Sequence, residues 1–117
     1  MDYVDASISI RKFIKAAFED DFKSFRVWKI EAGAELPCLL VKTIGKGSLQ
    51  LLVRSENDIE ALTKCTEVGN YLKRNFADIA GVNVFDIDFQ MPPIPDIDDQ
   101  SKKNEAWCYM RISYFEN

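Results

Sequence analysis

Two segments of this 117-residue chain repeat their apolar residues with the period of a helix, and everything between and after them reads as strand or turn. Two helices can cover only one face of a sheet, so this arrangement limits the chain to few architectures. In the first segment, from about Ser7 to Asp21, the apolar stripe is Ile10, Phe13, Ile14, Ala17 and Phe18. Arg11, Lys12, Lys15 and Glu19 take the other side, and Asp5 or Ser7 is placed to accept a bond from a free backbone N–H at the start. In the second, Asn57 stands as N-cap with Glu60 following it in a variant of the capping box, and Asp58 suits the positive end of the helix dipole. Ile59, Leu62, Thr66, Gly69, Leu72 and Phe76 trace the stripe expected to face the core, with Lys73 and Arg74 near the negative end. Gly69 costs about 1 kcal/mol against alanine in a helix. It marks either close approach of the helix to a sheet or a tolerated irregularity.

The remaining apolar residues fall in β runs. Phe25 to Ile30 is aromatic and β-branched; Pro37 opens Cys38–Ile44, a position where a strand tolerates proline. Gly45-Lys46-Gly47 offers positive-φ turn positions, and Leu49, Leu51 and Val53 then alternate with Ser48, Gln50, Leu52 and Arg54, which predicts a hairpin. The glycine–lysine tip lacks the spacing of a phosphate-binding loop and joins two strands rather than a strand and a helix. After Gly81 a strand runs from Val82 to about Gln90. Its alternation slips between Val84 and Phe85, a defect that a β-bulge repairs. Met91 to Glu105, with Pro92, Pro93, Pro95 and four carboxylates, reads as a long mobile loop, and Ala106 to Phe115 as the last strand. The order α-β-β-β-α-β-β predicts a single α+β domain over residues 1–117: a mostly antiparallel sheet of four to five strands with both helices on one face.

Composition removes several function classes. Fifteen basic against nineteen acidic residues leave a net charge of −4, which disfavours binding of nucleic acid or an anionic membrane through bulk charge. No stretch approaches the roughly 20 apolar residues of a membrane span. The acidic start, Met1-Asp2-Tyr3-Val4-Asp5, lacks the order of a signal peptide, so the product is expected in the cytoplasm unless an assembly carries it out. Without histidine there is no Ser-His or Cys-His pair and no imidazole metal ligand. Cys38, Cys65 and Cys108 have no CxxC spacing and read as small buried hydrophobes. Asp86 and Asp88 share a strand face, and Asp96, Asp98 and Asp99 follow. A calcium-loop template started at Asp96 puts Ser101 at the glycine position and Trp107 at the bidentate glutamate position, so it fails. No metal, cofactor or catalytic residue is expected.

What remains points to surfaces. The last strand is apolar on both faces, with Cys108, Met110, Ile112 and Tyr114 on one and Trp107, Tyr109 and Phe115 on the other. One helical layer cannot cover both, and some of Trp28, Phe25 and Phe85 add to the excess. Trp28, Trp107, Tyr109 and Phe115 are therefore the candidate oligomer interface. From Asn75 through Ser101 there are six acidic residues and no lysine or arginine, an asymmetry suited to a basic partner.

The element order, the chain length, the basic-faced first helix, the Pro37-Cys38-Leu39-Leu40-Val41 run, the Asp58-Ile59-Glu60-Ala61-Leu62 helix start and the aromatic last strand resemble the tail-terminator (tail-completion) proteins of long-tailed bacteriophages. The resemblance implies a non-enzymatic ring, usually hexameric, that caps the tail tube, stops its polymerisation and presents the head-joining surface. Its implied partners are further copies of itself, the tail tube protein and the head connector, with neither sequence-specific nucleic acid nor membrane. Its implied location is the host cytoplasm during assembly and then the virion. Partner-facing loops carried over by position are the hairpin tip with Lys46 and the stretch holding Asp96, Asp98, Asp99, Lys102 and Lys103. Two alternatives stand beside it: another neck (head-tail connector) adaptor, and an acidic inhibitor or immunity-type protein that docks on a basic target through Asp78 to Asp99.

Overall fold

A computed structural model describes residues 5–115. The acidic start read above, up to Val4, lies outside the described residues. Helix α1 spans Ser7–Phe18 and ends three residues before the expected Asp21, where the chain turns and Asp21 N–H donates to the Phe18 carbonyl. Ala6 holds the N-cap position without a side-chain bond, while one oxygen of Asp5 accepts the Ser7 N–H at 2.9 Å. Ile10 and Ile14 are fully buried and Phe13 and Phe18 pack on the core margin, whereas Ala17 is exposed.

Strand β1, Ser24–Val27, is shorter than its sequence pattern because Trp28 turns out of the strand at φ +69°. It pairs in parallel with β2, Cys38–Ile44, which forms the expected antiparallel hairpin with β3, Ser48–Ser55. Gly45, at φ +70°, supplies the left-handed residue of that turn. The sheet is completed by β4, Asn83–Ile97, and β5, Asn104–Phe115, in the order β1-β2-β3-β5-β4. The expectation of an α+β domain with a mostly antiparallel sheet holds. The core is one cluster joining both helices to one sheet face, including Leu39, Val41, Leu49, Leu51, Val53, Cys108, Met110 and Ile112.

Three expectations need correction. Helix α2, Asp58–Asn75, is rotated from the expected stripe: Gly69 and Leu72 are buried and Leu62 and Phe76 pack on the core as read, but Ala61, Cys65 and Val68 are buried beside them and Ile59 is 72% exposed. The buried stripe is made largely of small residues, which let the helix lie close to the strands. Phe25 is not on the outer face but in the core, 7% exposed, against Phe22. Finally, the expected mobile loop from Met91 is strand as far as Ile97, paired with β5 through Tyr109, Trp107, Ala106, Glu105 and Asn104. Register shifts between Phe89 and Met91 and between Met91 and Ile94 accommodate Pro92 and Pro93. β4 is also an edge strand, where a missing N–H breaks no ladder on the open side. Only the turn at residues 98–103 remains outside the strands.

The expected bulge is present. The register shifts between Val84 and Asp86, so Phe85 leaves the ladder while Val84 and Ile87 both stay buried.

Candidate interaction surface

The two strand-end regions hold the exposed apolar side chains. At one end, Ile44 closes β2 opposite Ser48, Phe115 closes β5 opposite Asn83, and Phe85 sits in the adjoining bulge. Trp28 follows the last β1 pair, and Ile8 adjoins Ser7, whose hydroxyl donates to Thr43 Oγ1 at 3.1 Å. All five are between 42% and 61% exposed. Phe85 and Phe115 pack against each other as a tilted pair, with centroids 5.1 Å apart and planes 41° apart, forming one aromatic projection. At the opposite end stand Ile59 in the first turn of α2 and Ile94 and Ile97 in the far part of β4. The molecule is elongated, 41 Å by 25 Å by 24 Å.

The four residues of the expected interface do not form one patch. Trp107 and Tyr109 lie on the face opposite Cys108 and Met110, as alternation requires, but both are half-buried. Their rings meet edge to face at 5.3 Å, Trp107 is registered between Leu52 and Ile94, and its indole Nε1 donates to Asp96 at 3.4 Å. Trp28 and Phe115 are more open. Trp28 donates its indole N–H to Asp5 at 3.0 Å. Against the upward push of partial burial, the bonds to Asp5 from Ser7, Thr43 and Trp28 hold its carboxyl below the usual range.

The two expected partner loops are likewise separate. Lys46 tips the β2–β3 hairpin at the aromatic end, while Asp96, Asp98, Asp99, Lys102 and Lys103 belong to the β4–β5 turn and its approach. Lys103 is bound by both oxygens of Glu56 at 2.8 and 2.9 Å. Asp98 accepts the Ser101 N–H, the main reason that its carboxyl is held below the usual range, and meets Arg54 at 3.5 Å.

Folding also dissolves much of the acidic run. Asp86 bonds Arg111 at 3.0 Å and Asp88 bonds Lys73 at 3.2 Å; both bases come from outside the base-free stretch. Asp58, Asp96 and Asp99 have no ion-pair partner among the described residues.

Sequence reasoning missed the cross-strand pair Arg54–Glu105. The two residues face each other on β3 and β5, with the guanidinium 2.8 Å from the carboxylate and the side chains only 15% and 9% exposed. Burial pushes the Glu105 carboxyl up, and the bond to Arg54 offsets only part of that shift. Beside the pair is a cavity of about 250 Å³ lined by Ala32, Ala34, Leu36 and Lys103 among others. Opposite charges 51 residues apart become a readable signal only once the β3–β5 register is known.

The three cysteines are free and buried. Contact with Cys108 and burial push the Cys65 thiol far up, and burial raises Cys38, so neither is a ready nucleophile. Among the described residues no three carboxylate, thiol or imidazole groups are gathered to hold a metal ion. No described helix is long and apolar enough to cross a membrane. No protein-family model matches the chain, and no curated protein matches it.

Proposed function

We propose that this chain is a non-enzymatic phage tail-terminator protein, a ring of identical subunits that caps the tail tube, halts its growth and offers the head connector a docking surface. The observation that carries the reading is the placement of exposed apolar side chains at both ends of an elongated subunit. A protein that joins two different structures needs two separate contact surfaces, and here Phe85, Phe115, Trp28 and Ile44 form one end while Ile94, in the far part of β4, marks the other. The order of elements, which underlies the resemblance, supports it as well. In this reading the protein works in the host cytoplasm during assembly and then stays in the virion.

The acidic-inhibitor reading is weaker on this geometry. Three of the carboxylates it would present, Asp86, Asp88 and Asp98, already face Arg111, Lys73 and Arg54.

The test uses Phe115→Asp and Phe85→Asp, each placing a charge in the proposed dry contact. Both residues are more than half exposed, so the unfolding midpoint should stay close to wild type. End-labelling of tail tubes, seen by electron microscopy, should be lost in both. Tube ends labelled as with wild type would remove the aromatic end from the interface.

A further inference from the structure

We propose that the subunits join head to tail by seating the outer face of α1 from one copy in the groove between the start of α2 and the far part of β4 in the next. This rests on the ring reading above and names its contact. The groove, about 490 Å³, is lined by Pro95 and Ile97 with the carboxylates of Asp58, Asp96 and Asp99 around them, and Ile59 stands exposed in the adjoining first turn. Asp58 and Asp96 each accept only a neighbouring backbone N–H, with the Trp107 indole also on Asp96. None of the three meets a cation among the described residues. Lys102 in the same turn is one ammonium against these three acids. A helix face that carries an exposed apolar residue followed by a run of cations would complement this groove in both respects.

Helix α1 carries such a face. On α1, Ile8, Lys12 and Lys15 recur at i, i+4 and i+7 on the solvent side, with Arg11 beside them. Ile8 is 48% exposed, and Arg11, Lys12 and Lys15 have no ion partner among the described residues. An isoleucine at the start of α1, followed by three unpaired cations and only then by Glu19, thus matches three unpaired carboxylates beside a proline–isoleucine groove. The two surfaces lie apart in the subunit: Ser7 anchors α1 to β2 through Thr43, whereas the groove belongs to α2 and to β4 on the far edge of the sheet. Two different, complementary patches on one subunit make a heterologous contact, the kind whose repetition closes a ring when the rotation fits. A contact with three charges on each side is also expected to weaken with salt.

The test is charge reversal on each face and then on both. The helix variant is Lys12→Glu with Lys15→Glu, and the groove variant is Asp96→Lys with Asp99→Lys. A third variant, Ile97→Asp, changes the groove centre at an exposed position. Circular dichroism and unfolding midpoints check that each is folded. Native mass is measured from micromolar to millimolar protein at low and high salt, and again with tail tubes present. The wild type is expected to assemble at low salt, and each variant to show association weakened about 10-fold or more. Combining the helix and groove reversals in one chain is expected to restore assembly, because the charges again match. If the folded single-face variants assemble like wild type, or the combined chain fails to recover, this interface is wrong while the ring reading stands. If the wild type stays monomeric both in solution and on tubes, the ring reading fails and this inference fails with it.

Discussion

At Gly69 a side chain and a missing side chain share one space. A Cβ there would lie 2.5 Å from Cζ of Phe89, so the ring occupies the position that alanine's methyl group would take. The sequence left two accounts of this glycine, and close approach to the sheet is the right one. Gly69→Ala gains about 1 kcal/mol in helix preference, but the overpacking costs about 1–3 kcal/mol. Denaturant unfolding should therefore show a net loss, and the loss should vanish in a Phe89→Leu background. Asp5 gives a pH test. Its carboxyl lies below the ordinary value of 3.8 in the folded chain, so its contribution is present above that value and is lost as pH falls through the lower folded one. Asp5→Asn should flatten the decline of stability in that acid range while leaving its slope at neutral pH unchanged. Glu105→Ala should cost about 1.5–3 kcal/mol, the loss of a charge-assisted bond in a nearly buried site where Arg54 keeps Asp98 at 3.5 Å.

At the scale of elements, α2 shows what a periodicity reading finds and what it misses. Its existence, its Asn57 cap and its charged ends were all legible. Asn57 Oδ1 accepts the Glu60 N–H at 2.9 Å. Glu60 does not reach back to the cap's own N–H as a capping box would; it bonds the Ser55 hydroxyl, which accepts the Asn57 N–H. The helix phase was legible only in part: Gly69 and Leu72 face the sheet as read, but Ala61 and Cys65 are too small to dominate an apolar stripe, and the large Ile59 points to solvent. Leu72→Ala should cost about 2–5 kcal/mol, and Ile59→Ala should change stability by no more than about 0.5 kcal/mol. Comparable losses for the two would restore the original phase. Strand β4 was misread past Gln90 because prolines and carboxylates resemble loop composition. What keeps Met91–Ile97 extended is pairing with β5, a long-range fact that local composition does not carry. Of the candidate surface, only the exposure of its side chains can be compared with the sequence reading. Phe115 and Trp28 are exposed as expected, while Trp107 and Tyr109 are partly covered by one another and their neighbours on the sheet.

On the scale of the whole molecule, the proposal turns on polarity. One end presents the Phe85–Phe115 pair and the Lys46 hairpin, and the other presents the isoleucines of β4 and α2 beside unpaired carboxylates. A cap that stops growth at a tube end must bind that end and not reproduce it for the next tube subunit, and dissimilar ends satisfy this condition. Subunit association through charged patches should be modest in free solution and stronger on a tube end, where neighbouring sites raise the effective concentration. The most direct measurement is polymerisation of the cognate tail tube protein with and without this chain, with tube length and end structure recorded by electron microscopy. The account predicts tubes of arrested length bearing a six-fold ring at one end only, with a ring mass six times the 13.4 kDa of the chain. Tubes that lengthen unchecked and carry no added density at either end would contradict it.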